Sequence, residues 1–379
     1  MLKLTPKPLI GLFYLFYFAL IGIYIIFLPK ILKELGFSGI EVGEIFSIAP
    51  MMRFLLPFIF RRFGGLNAKS YKTALFLMAL ASVLFLLFLD SFWGLLFVNM
   101  VYGASMGVVL PFVDTIALKL ISKENYGKVR LWGSIGFMGI ALWLGRVLET
   151  PTEAIYYLIA TALATTFSGF FIINFDTEES KSQKSDDKLL LSKYWAWWLS
   201  VILFQISFGG FYNFFTIYET NFGVSLEMTT YLWSFGVICE IVMLYFQGSL
   251  LKKFSLLTLI EVSIFSAFFR WIVLWLYPDS LILAFFSQSL HALNFALYYT
   301  ASIAYVYTLY SQKKLAQQFF LGVGFGLGGS IGAVVAGWVW EYQPKYLFLS
   351  QALLVLLAYT LIVIHHKRVK KLQGGSFGR

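Results

Sequence analysis

Apolar residues run almost unbroken along this chain, interrupted only by short charged loops. The runs fall near 9–29, 42–60, 73–89, 92–118, 129–147 and 155–174, and a second series near 195–218, 228–251, 255–277, 280–310, 315–340 and 346–364. Most reach the roughly 20 residues that cross a bilayer as a helix, and the longer ones are expected to tilt. The pattern predicts an all-α integral membrane protein with twelve transmembrane helices. The first run imitates a signal peptide, but it is longer than an h-region and no small-residue cleavage site follows, so it reads as a span.

Charge enters only between the runs, and it alternates. One set of loops holds Lys3, Lys7, Arg61, Arg62, Lys69, Lys72, Lys119, Lys123, Lys128, Lys252, Lys253, Lys313, Lys314 and the tail from Lys367 to Lys371. The intervening loops hold only Lys30, Lys33, Arg146 and Lys345. Under the positive-inside rule this places both termini in the cytoplasm of a bacterial-type inner membrane and requires an even number of spans.

The one long polar stretch, 175–194 (FDTEESKSQKSDDKLLLSKY), cannot form a packed core and reads as a cytoplasmic linker. It divides a six-helix bundle over 1–174 from another over 195–366, with a cytoplasmic tail over 367–379. Repetition supports two pseudo-symmetric halves. Trp132-Gly133-Ser134-Ile135-Gly136 in the fifth run recurs as Gly328-Gly329-Ser330-Ile331-Gly332 in the eleventh, and Arg61-Arg62-Phe63 is echoed by Lys252-Lys253-Phe254. Gly133, Gly136 and Gly139, like Gly324, Gly328 and Gly332, form faces of small residues that let helix backbones approach closely.

Composition sharpens this picture: 59% of residues are hydrophobic and only 13% charged, which excludes a soluble domain. The net charge of +10 would suit nucleic acid, but its alternation between loops makes it topogenic, so no nucleic-acid partner is expected. Cys239, the single cysteine, allows neither a disulfide nor a thiolate metal site. No nucleotide loop, serine elbow or zinc motif is present, so neither an enzyme nor a cofactor is expected and ATP is not the energy source within this chain.

The candidate chemistry lies in the ionisable residues inside the spans, each of which costs about 2.5–3.5 kcal/mol at a helix centre. Glu240 is the foremost candidate for proton coupling, because a carboxyl at that depth can exchange protons near neutrality. Its alternative is a fixed ion pair with Arg270. The guanidinium of Arg270 matches a carboxylate in two hydrogen bonds and is the candidate anion site. Asp114 is a second proton candidate; with Arg130, at similar depth on the next span, it is expected to form a gate or a fixed staple. Arg53 is expected either to bind an anion from the other half, as Arg270 does, or to pair with Asp114 as a structural partner, the latter being preferred. His291, Asn294 and Tyr298, spaced i, i+3 and i+7, predict a polar stripe facing the cavity. Gln205, Asn213, Tyr17 and Tyr24 complete the candidate substrate-binding set, while Tyr14 reads as an interfacial aromatic.

At these residues a resemblance becomes specific. The stretch Asp114–Phe137 (DTIALKLISKENYGKVRLWGSIGF) resembles the signature of the phenylpropionate-permease-like branch of the major facilitator superfamily. Gly236–Ile241 (GVICEI), Arg270-Trp271, and His291-Ala292 followed by Phe295 agree with it in order and in helix. The resemblance implies twelve helices, proton symport and, by analogy, uptake of a small organic acid. The partners expected are a small-molecule substrate, protons and the bilayer, and the chain is expected to be a monomer. Proton-antiport efflux of hydrophobic compounds, and symport of an uncharged sugar or nucleoside, are the alternatives. One departure stands out: the loop after the second run reads Arg61-Arg62-Phe63-Gly64-Gly65, without the acidic residue that the superfamily usually carries there.

Overall fold

The apolar runs are helices. A computed structural model describes residues 5–63, 66–175 and 191–374. Residues 176–190 of the linker, Lys3, Gly64, Gly65 and the end of the chain from 375 lie outside the described residues. The spans are Pro6–Glu34, Gly39–Ile59, Ala68–Leu87, Phe92–Leu120, Lys123–Val147, Pro151–Phe175, Ser192–Asn221, Leu226–Lys253, Leu256–Leu276, Leu281–Leu309, Leu315–Tyr342 and Pro344–Lys371, numbered 1 to 12 in that order. Eleven meet the length and apolarity of a membrane helix. Span 5, Lys123–Val147, has the length but carries Arg130 and Arg146 near its ends. The fold is thus the predicted all-helical, twelve-span membrane architecture.

Local chemistry sets the helix ends. Asn67 accepts from Ser70 N in a reciprocal capping box at the start of span 3, and Ser91 and Ser255 accept from Gly94 N and Thr258 N at spans 4 and 9. Gly36 closes span 1 at φ 95°, a left-handed conformation that costs glycine nothing.

The repeat in the sequence is a repeat in packing. In the first half span 1 packs on spans 5 and 6, and span 3 on spans 4 and 6; in the second half span 7 packs on 11 and 12, and span 9 on 10 and 12. The matched glycines make the equivalent contacts. A Cβ on Gly136 would lie 1.9 Å from the Leu15 carbonyl oxygen of span 1, and one on Gly332 would lie 2.6 Å from the Ile206 carbonyl oxygen of span 7. Only glycine admits such backbone approach.

The described chain forms two compact units, Met1–Lys184 with Tyr212–Ser234, and Ser185–Phe211 with Phe235–Arg379. Within the first unit the start of span 8 meets span 5, where Arg146 Nε lies 3.0 Å from Glu227 Oε1 and Arg146 Nη2 donates to the Tyr231 hydroxyl at 2.7 Å.

Candidate functional site

In the second unit four polar side chains join in a line across spans 8, 9 and 10. Arg270, fully buried on span 9, directs Nη1 at His291 Nδ1 (3.1 Å) and Nη2 at Gln288 Oε1 (2.9 Å). The other ring nitrogen of His291, Nε2, faces Glu240 Oε2 at 3.7 Å. A guanidinium only donates, so Nδ1 must accept and the imidazole proton sits on Nε2, directed toward Glu240. His291 is thereby held neutral between a cation and a carboxyl. The guanidinium carbon also lies 4.1 Å and 4.6 Å from the ring centres of Phe211 and Trp271, so aromatic faces take part of its charge.

Two local features build this line. Gly236 packs span 8 against span 10, where a Cβ would lie 3.3 Å from Gln288 Oε1 and 3.7 Å from His291 Cβ, the latter an ordinary contact. Glu240, one turn on, consequently reaches His291. Immediately after His291 the chain widens into a π-helical turn over Ala292–Leu297. Such turns re-aim side chains and recur at functional sites.

That turn corrects the expected stripe. Asn294 turns to span 9, donating to the Ser263 carbonyl at 2.9 Å and to Ser266 Oγ at 2.6 Å. Tyr298 is buried against Phe204, ring centres 4.3 Å apart. The 3.6-residue register fails across the inserted residue, so His291 and Asn294 bind span 9 while Tyr298 packs on span 7. Gln205 is buried against the glycine face of span 11, where a Cβ on Gly328 would meet its own Cβ at 2.9 Å. A separate apolar cleft of about 500 Å³ runs along span 8 past Ile238, Val242, Phe246, Ser249 and Leu250 to Ala292 of span 10, and none of Glu240, Arg270, Gln288 and His291 lines it.

The first unit holds a separate cluster. Tyr14 is fully buried and donates to Asp114 Oδ1 at 2.5 Å, and Tyr126 donates to the same oxygen at 3.4 Å. Arg130 lies over the rings of Tyr14 (4.9 Å) and Phe18 (4.1 Å). The expected Asp114–Arg130 contact is therefore mediated by Tyr14, whose hydroxyl serves the carboxylate and whose ring serves the cation. Tyr14 is correspondingly no interfacial aromatic.

The expected pairing of Arg53 with Asp114 does not form either. Arg53 is exposed, and among the described residues no ion pair engages it. The Tyr24 hydroxyl donates to Asn99 Oδ1 at 2.6 Å, and the Tyr17 hydroxyl reaches the Met106 carbonyl at 3.5 Å. Asn213 lies partly exposed in the Tyr212–Ser234 segment of this unit.

Sequence reasoning missed two residues. Gln288 stands three positions before His291 and extends its polar face backward, a signal that was present. Glu219 sits beyond the 218 boundary expected for run seven, yet it lies within the helix and is fully buried.

The model of the MFS_1 like family matches residues 9–350. The probable 3-phenylpropionic acid transporter of Escherichia coli (strain K12) is 25% identical over 361 residues, covering 92% of this chain and 94% of that protein. The transporter YwbF of Bacillus subtilis (strain 168) is 28% identical over 352 residues, covering 87% and 86%. Among solved structures, the nucleoside transporter NupG aligns with a TM-score of 0.79 over 96% of this chain and 100% of its own, at 16% identity, a likeness of fold alone.

Proposed function

Because the chain belongs to the MFS_1 like family and is a multi-pass membrane transporter of that fold, we propose that it carries a small organic acid with a proton across a bacterial-type inner membrane, by alternating access. The observation that carries this reading is the Glu240–His291–Arg270 line, with a cation and a titratable carboxyl on opposite nitrogens of one neutral imidazole.

The charge balance of that line suits symport of an acid. A substrate carboxylate that takes the Arg270 fork adds a negative charge to a region already holding the Glu240 carboxylate. Protonation of Glu240 removes the excess, so binding of anion and proton is mutually favourable and reciprocal. His291 links the two events, because an anion that draws Arg270 Nη1 away frees Nδ1 and changes what the imidazole presents to Glu240. The Escherichia coli relative, named as a probable transporter of 3-phenylpropionic acid, makes aromatic acids the first class to examine.

The test is purified protein in liposomes under an imposed pH gradient, screened with small aromatic acids, sugars and nucleosides. Solute-dependent proton entry with an acid is the expected result. Proton entry with a sugar or nucleoside alone would replace the acid by an uncharged solute. Proton release on uptake, or none with any class in folded protein, would overturn symport in favour of efflux of hydrophobic compounds.

A further inference from the structure

Span 7 is not one continuous helix. It runs as Trp195–Ile206 and Gly209–Asn221, with a tightened turn at Ser207 and Phe208 where the Phe208 N–H bonds three residues back to the Gln205 carbonyl at 3.1 Å. A break of this kind frees carbonyls of the preceding turn, and inside a bilayer they need a partner from the protein. Gln351 of span 12 supplies it. Its side chain is fully buried and meets the Ser207 carbonyl at 2.7 Å and the Ile206 carbonyl at 3.2 Å. Carbonyl oxygens only accept, so the amide nitrogen is the atom that faces them, and it donates to both.

Glycines let the neighbouring spans close on the break. A Cβ on Gly209 would lie 2.0 Å from the Gly332 carbonyl oxygen of span 11, and one on Gly210 would lie 3.2 Å from Gln351 Cγ. Enclosed in this way, the turn directs two rings at the buried guanidinium. The ring centre of Phe211 lies 4.1 Å from the Arg270 guanidinium carbon and 5.5 Å from the ring centre of His291. That of Phe208 lies 6.0 Å from the same carbon and 5.2 Å from the Trp271 ring. Span 12 touches this group a second time, because Phe348, one turn before Gln351, stacks on Trp271 at 5.5 Å. With aromatic faces over Arg270, its N–H edge is what remains for His291, Gln288 or an incoming carboxylate.

We infer that Gln351 is a positioning residue for the Arg270 site: it holds the break in span 7 that lays Phe211 against both Arg270 and His291. A side chain of similar size without a donor would leave two carbonyls unmet in an apolar interior. The chain recovers them by continuing the α-helical ladder through Ser207 and Phe208. That turns every residue beyond the break about the helix axis and takes Phe211 off Arg270. The inference deepens the proposed function and rests on its reading of Arg270 as the group that receives the acid. It adds that acceptance of the acid depends on a residue outside the Glu240–His291–Arg270 line.

The experiment places 4-fluorophenylalanine at position 211 by stop-codon suppression and reads its fluorine resonance in nanodiscs, without solute. Gln351→Met, close in size but without a donor, should move the line, while the same label at Phe112, buried in the first unit, should stay in place. Gln351→Asn, whose amide is one methylene short of reaching both carbonyls, serves if the methionine variant does not fold and should move the line the same way. Binding titrations with a small aromatic acid and its amide then connect the ring to the site. Gln351→Met should weaken the acid about tenfold, the equivalent of one charge-assisted hydrogen bond, and the amide less. A line at 211 that stays in place, a line at Phe112 that moves with it, or acid and amide weakened alike overturns the inference and makes Gln351 a packing residue between spans 7 and 12. The fluorine measurement uses neither solute nor gradient. A parent that binds no acid therefore removes the reading of Arg270, while a line that moves at 211 alone still assigns the placement of Phe211 to Gln351.

Discussion

At His291 the donor and acceptor roles of one ring follow from its neighbours, and two predictions belong to that residue scale. Because Arg270 can only donate, Nδ1 is committed to accepting and Nε2 to carrying the proton toward Glu240. Glu240→Gln keeps the shape but cannot release a proton, so gradient-driven accumulation should be lost while substrate exchange persists, since exchange need not deprotonate the carrier. Parallel measurement of accumulation and counterflow in liposomes checks this; equal loss of both would remove Glu240 from coupling. Arg270→Lys replaces a fork by a point charge that cannot serve His291 and Gln288 together. Loss of a charge-assisted hydrogen bond should weaken an acidic substrate by about 1.5–3 kcal/mol, roughly 10- to 150-fold in affinity, with a smaller effect on an uncharged analogue. Binding titrations with an acid and its amide check the contrast, and equal effects on both would make Arg270 structural.

At the scale of elements, what could be read from the chain depended on whether it stayed regular. Glu240, Arg270 and His291 were legible as a group because an ionisable side chain in an apolar run needs a partner, and three consecutive spans each supplied one. Their order along the line was not legible, because spacing on separate helices says nothing about which nitrogen meets which atom. Asn294 and Tyr298 were misplaced for a different reason: a π-helical turn leaves no mark in an apolar pattern, and it shifts every side chain beyond it. The Gly-Ser-Ile-Gly repeat was legible and acquires a test. Gly136→Ala and Gly332→Ala each push a methyl into a carbonyl of the facing helix, at 1.9 Å and 2.6 Å, whereas a Cβ on Gly139 meets nothing within 4 Å. The first two should each destabilise the protein by about 1–3 kcal/mol, as overpacking does, while Gly139→Ala should be neutral. Thermal unfolding in detergent distinguishes them; a Gly139→Ala variant as damaged as the others would remove backbone approach as the cause.

For the whole molecule, hydropathy alone sufficed for the fold, because a bilayer leaves the backbone few options other than helices long enough to cross it. The internal repeat was equally plain, since matched sequence motifs have become matched helix pairs. The docking of Tyr212–Ser234 with the first unit was not legible, because it depends on contacts such as Arg146 with Glu227 that lie far apart along the chain. Orientation is the remaining property of this scale, and charge argues it. Lysine and arginine crowd alternate loops, and translocating them against the membrane potential is unfavourable, so these loops should remain cytoplasmic. Two exposed positions report opposite sides in the Cys239→Ser background: Asp90 in the connection between spans 3 and 4, and Ser311 in that between spans 10 and 11. An impermeant maleimide should label Asp90→Cys in intact cells and Ser311→Cys only after permeabilisation. The reverse pattern would invert the molecule. It would place the Arg146–Glu227 contact on the cytoplasmic side.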